Sequence, residues 1–129
     1  MTTPEIVIGD DGIVRVDYGS TGVVTLNLVK AELEARRRLA PGMQILMVTL
    51  RGVWRVDVDA AAFMSSAEWC AATGASGMVV ESSLGNMAMR VFELYHRPSY
   101  PFRICGTEDD ALEWLAQYVP SRQQVRRQR

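Results

Sequence analysis

The chain has 129 residues, 48% apolar and 22% charged, with a formal net charge of −1. That is the size and balance of one globular domain, with too little net charge to steer it toward nucleic acid. Its two cysteines, Cys70 and Cys105, exclude a disulfide framework and are expected as small buried thiols.

The N-terminal MTTPEIVIGDDG lacks the basic and apolar regions of a signal peptide, and no apolar run reaches the ~20 residues of a membrane helix. A cytoplasmic protein without membrane insertion is therefore expected. Arg122, Arg126, Arg127 and Arg129 lie in the last eight residues, and removing these four charges from the net −1 leaves the body at −5. Residues 1–121 are read as a single domain and 122–129 as a basic, flexible tail.

Residues 5–9 and 12–18 are strand candidates joined by the turn chemistry of Asp10-Asp11-Gly12. The second alternates, with Ile13, Arg15 and Asp17 against Val14, Val16 and Tyr18, which predicts one wet face, as at a sheet edge. Thr25 is placed to cap a helix ending near Leu39, with Leu26, Val29 and Leu33 as its apolar stripe. Glu32–Arg36 and Glu34–Arg38 are i, i+4 pairs, each expected to add a few tenths of a kcal/mol on a helix surface. The Arg36-Arg37-Arg38 triplet suits the last turn of that helix, where cations complement the dipole.

Gln44 to Leu50 begins an unalternated apolar run, the pattern of a strand buried on both faces. From Asp57 to Gly74 a helix in two pieces is predicted. Asp57 or Asp59 caps the first, Ser65-x-x-Glu68 boxes the second, and Gly74 stops it. Residues 76–81 form a short strand.

Ser82-Ser83 opens the next helix, which runs to about Arg97. Leu84, Met87, Ala88, Val91, Leu94 and Tyr95 are its expected core stripe. A second stripe, Met89 and Phe92 with Gly85 and His96, is left for the surface, where Met-rich apolar residues mark partner or ligand contact. Residues 102–105 form the last strand. Thr107-x-x-Asp110 caps a final helix with Ala111, Leu112, Leu115 and Tyr118 or Val119 inward. The order β-β-α-β-α-β-α-β-α specifies a single-domain α/β fold: a mixed, largely parallel sheet behind an N-terminal β-hairpin.

The segments LMVTLRGVWRVDVDAAAF and PFRICGTEDDALEWL, with this element order over most of residues 5–119, resemble the SpoIIAA-like proteins, small bacterial relatives of the STAS (anti-sigma-factor antagonist) fold. In true antagonists an Asp-Ser pair begins the helix after the central strand, and a partner kinase phosphorylates the serine. The matching segment here is Asp57-Val58-Asp59, so Val58 stands where the hydroxyl would be. The wider group also resembles lipid-binding SEC14-type domains, which implies a small apolar ligand for some members.

Catalytic chemistry finds little support. The single histidine, His96, falls at a helix end where a cation relieves the carbonyl dipole, and the carboxylate clusters match a turn and two helix N-termini. No G-x-S-x-G, dinucleotide fingerprint or histidine-rich metal spacing is present, so no enzyme and no cofactor is expected.

The expected function is a non-enzymatic binding module acting through protein–protein contact and self-association as a homodimer. Its surface is assigned to Met89 and Phe92, with Trp54, Trp69 and Tyr100 as aromatic anchors. The alternative is a carrier of a small apolar, lipid-like ligand held between sheet and helices by Phe63, Met64, Met78 and Met87. A third reading makes Arg55, Asp57 and Asp59 a regulatory loop in which Asp59 mimics phosphate.

Overall fold

The computed structural model describes residues 3–119; the basic tail and the domain boundary at 121 lie outside them. The chain runs β1 (Glu5–Ile8), β2 (Ile13–Asp17), β3 (Val23–Val24), α1 (Leu26–Leu39), β4 (Gln44–Leu50), β5 (Arg55–Val56), α2 (Val58–Phe63), α3 (Ala67–Ala71), β6 (Thr73–Val80), α4 (Ser83–His96), β7 (Phe102–Cys105) and α5 (Glu108–Leu115), then a 3-10 turn, Ala116–Tyr118. The main sheet has the order β1-β2-β4-β6-β7, with β1 antiparallel and the other pairs parallel. This is the α/β architecture that the element order implied.

From β2 through β4 and β6 to β7, each crossover steps the same way across the sheet. Right-handed crossovers that all step one way lay their helices on one face. The packing agrees. Val14, Val16, Leu46, Val48, Met78 and Val80 meet residues of α1 to α4, whereas Ile13, Ile45, Met47, Ala75 and Val79 meet α5. As the middle strand of this two-sided core, β4 is buried along its whole length. Gly77 lets α5 close on the sheet, since a Cβ there would lie 3.3 Å from Leu115 Cδ1.

Capping follows local chemistry. Thr25, Ser82 and Thr107 each accept a hydrogen bond from the backbone N–H three residues on. Three local expectations are corrected. The cap of α3 is Ser66, which accepts from Trp69 N at 3.2 Å, while Ser65 donates back to Ala61 O. Gly74 stops no helix; α3 ends at Ala71, and β6 begins at Thr73, whose hydroxyl donates to Trp69 O at 2.8 Å. Strand β2 is interior, because β1 covers its outer side. Its polar residues are matched by ion pairs instead, Arg15 with Asp11 and Asp17 with Arg51.

The Glu32–Arg36 pair is not on the surface. Arg36 is 0% and Glu32 1% exposed, beneath α1. The Arg36 Nε donates to Gln44 Oε1 at 2.9 Å, and its Nη2 donates to Ala72 O at 2.6 Å and Thr73 Oγ1 at 3.1 Å. Its Nη1 lies 3.4 Å from Glu32 Oε2, and the guanidinium sits 4.9 Å from the Trp69 ring centroid. The Tyr18 hydroxyl donates to the other Glu32 oxygen. Gln44 Nε2 donates to Ala40 O, a carbonyl beyond the last turn of α1, and to Arg36 O, which also accepts from the capping Ala40 N. One cluster thus ties α1, the start of β4 and the α3–β6 junction together.

Helix α4 is placed by Gly85. A Cβ there would sit 2.7 Å from Val53 O and 2.8 Å from Val80 Cγ1. Only glycine lets the first turn lie this close to the loop after β4.

Three outcomes follow. Arg36→Ala removes the cation beside buried Glu32 and leaves several buried acceptors unmatched, and is expected to cost about 3–5 kcal/mol in urea unfolding. Burial pushes the Glu32 carboxyl above its ordinary 4.5, outweighing the opposing pull of Arg36 and Tyr18. A folded-state pKa raised in this way gives stability fully present below the unfolded value and lost as pH rises through the folded one. Glu32→Gln is expected to remove that decline, read as the difference in unfolding free energy between wild type and variant from acidic to neutral pH. Gly85→Val is expected to cost about 1–3 kcal/mol by overpacking, read in the same assay.

Candidate functional site

After β4 the chain turns at Arg51-Gly52 and buries Val53. Trp54 N then donates to Gly22 O at 2.8 Å and Asp57 N to Val24 O at 2.9 Å, flanking a two-stranded parallel ribbon of β3 and β5 that the sequence pattern did not predict. This ribbon holds Trp54, Arg55 and Val56 beside α4. Between them lies an open groove of about 430 Å³. One wall is Trp54, Arg55, Val56, Val58 and Ala61; the other is Leu84, Met87, Ala88, Val91, Phe92, Tyr95 and His96.

The groove is apolar with two polar edges. Arg55 stacks 5.4 Å from the Trp54 ring centroid and pairs with Asp57 Oδ1 at 3.0 Å, so its charge is already matched. The His96 ring stacks on Phe92 with centroids 5.5 Å apart. Asp59 Oδ1 accepts from Ala60 N at 2.8 Å. Asp57 is the N-cap residue of α2, without a side-chain cap bond. Val58, at the position matching the phosphorylated serine, is 82% exposed. The lining brings no nucleophile and base together; what it offers is shape and apolar contact.

The two stripes of α4 are the reverse of the expectation. Met89 and Phe92 are 2% and 3% exposed and pack in the core, Phe92 against Phe102 at 5.6 Å. They are not a surface. The stripe expected inside faces out: Leu84, Met87, Val91, Leu94 and Tyr95 are between 50% and 75% exposed. The signal for the correct assignment was Gly85. A glycine inside a helix weakens it, so the face that carries one is the face that needs close backbone approach.

Of the three expected anchors, Trp54 is about half exposed on the groove, while Trp69 and Tyr100 are buried. Trp69 packs edge-on to Phe63 and under Arg36. Burial pushes the Tyr100 phenol up to about 12. Short α3 has one inward face, and Trp69 fills it.

The space between sheet and helices, near Met64 and Met78, amounts to about 20 Å³, room for roughly one water. The expected ligand position there is already filled by side chains, and the groove outside is where Met87 lies. No helix among the described residues is long and apolar enough to cross a membrane.

The fold is shared with a crystal structure of an uncharacterised DUF3478-family protein with a SpoIIAA-like fold from Shewanella loihica PV-4. The two chains are 15% identical, the match covers 88% of this chain and 92% of the other, and the TM-score is 0.58. This supports the SpoIIAA-like fold, and at that identity it carries the fold alone. No curated protein matches the sequence. A family model described as a domain of unknown function matches residues 6–119, and the chain belongs to that family, DUF7793.

Proposed function

We propose that this chain is a non-enzymatic binding module acting through protein–protein contact, with the outward face of α4, Trp54 and Val58 as its surface. The observation that carries this reading is that face itself. Leu84, Met87, Val91, Leu94 and Tyr95 form one continuous apolar strip, bordered by a groove. Contiguous apolar surface of this kind marks interaction sites in folded proteins. Trp54 and Tyr95 supply large side chains of the type that dominates binding energy at interfaces.

A second reading has one observation in its favour. The groove volume of about 430 Å³ falls within the range of small-molecule sites, and its lining is mostly apolar. A small apolar ligand lying in that groove is the alternative.

Chemical cross-linking of the tagged chain in its host cells, compared between wild type and Met87→Glu/Val91→Glu, tests the proposal. Protein adducts, to itself or to another chain, are expected in wild type and lost in the variant. Adducts of equal yield in both would refute the surface. Absence of adducts together with a retained small-molecule mass in native mass spectrometry would favour the ligand reading.

A further inference from the structure

We infer that the occupant of this face is a second copy of the same chain, docked helix on helix through α4. The inference rests on the binding-module reading and names its partner.

The spacing comes first. Leu84, Met87, Val91 and Leu94 recur at steps of three, four and three along α4, and all four are exposed. Alternating steps of three and four make an apolar seam with a mean period of 3.5, the pattern by which one helix packs along another. It is not what open solvent requires of a helix.

Area comes second. With Tyr95, Trp54 and Val58 added, the exposed side chains offer roughly 700–900 Å². That accessible area is of the order of the ~800 Å² per partner that a stable interface buries.

The third argument is self-complementarity. A twofold interface sets one patch against itself, so the patch must tolerate its own copy. The seam residues carry no charge. Arg90 flanks one side and Tyr95 the other, at the positions where two parallel helices about a twofold bring the flank of one against the opposite flank of the next. Arg90 of one copy then faces the Tyr95 ring of the other, a cation–π pairing.

Val119, the last described residue, packs in the α5 layer, on the other side of the sheet from α4.

Size-exclusion chromatography with light scattering, from micromolar to near-millimolar protein, decides the matter. Wild type is expected at twice the 14.4 kDa chain mass, with Trp54 emission shifting to the blue as concentration rises. Met87→Glu/Val91→Glu is expected at the single-chain mass with an unchanged far-ultraviolet circular dichroism spectrum, a weakening of at least about tenfold. Leu94→Lys, a single change at the seam's end, provides the same reading should the double variant unfold.

Wild type at 14.4 kDa throughout would overturn the inference. So would a dimer that both variants leave intact. A monomeric wild type whose cellular adducts still depend on Met87 and Val91 would remove the second copy and keep the binding module. A monomer without such adducts would remove both.

Discussion

The rest of the structure depends on Arg36 having partners for its guanidinium out of reach of water. A buried cation is tolerated only when its donors are used, because nothing in the interior replaces its hydration. Here the partners come from three places in the chain: Glu32 on the helix itself, Gln44 at the start of β4, and Ala72 and Thr73 where α3 passes into β6. Gln44 turns its amide back onto the carbonyls at the end of α1, so the same side chain serves the ion and the helix terminus. Were α1 to slide along the sheet, the bonds to Gln44, Ala72 and Thr73 would be lost together. The apolar contacts around them are less particular about register, since packing tolerates small shifts that a fixed fork of donors does not.

With α1 fixed in this way, the sheet needs cover at its other end, and α4 supplies it under a different constraint. Its inner face is set by close approach. Gly85 lies under Val53 and Val80, and Met89 and Phe92 follow at helical spacing into the core. Having used that face, the helix still carries a second apolar strip pointing outward. Asn86, Arg90 and Glu93 confine the polar side of the helix to one narrow sector between the two apolar strips. The small β3–β5 ribbon adds to this by holding Trp54 and Val58 beside the strip. The groove and the exposed strip therefore lie where a crossover helix meets the loop after the central strand. That loop is also where parallel sheets commonly place function.

Fold class was legible because it depends on patterns that repeat locally. The apolar run at 44–50 could only be a strand covered on both sides, and the caps Thr25, Ser82 and Thr107 act on backbone groups three residues away. Alternation of strands and helices then left a parallel sheet as the economical solution. The ribbon of β3 and β5 was not legible, because two residues on each side give no period to detect. Ser65 and Ser66 are chemically equal candidates for a cap, and only the backbone path chose between them.

The site was decided by tertiary structure for one reason: sequence periodicity reports that a helix has two apolar faces, and it does not say which meets the sheet. Met89 and Phe92 were as plausible outside as Met87 and Val91, and the contact of Gly85 with Val53 settled it. The same holds for Glu32 and Arg36, whose spacing is that of an ordinary surface pair. Their burial comes from Tyr18, Gln44 and Thr73, residues distant in sequence that only the folded chain brings beneath α1. The sequence by itself determined the main strands and helices, the caps of α1, α4 and α5, and the parallel sheet, since each needs only neighbours a few residues away. Which faces are inside, and therefore which remain exposed, is a property of long-range contact.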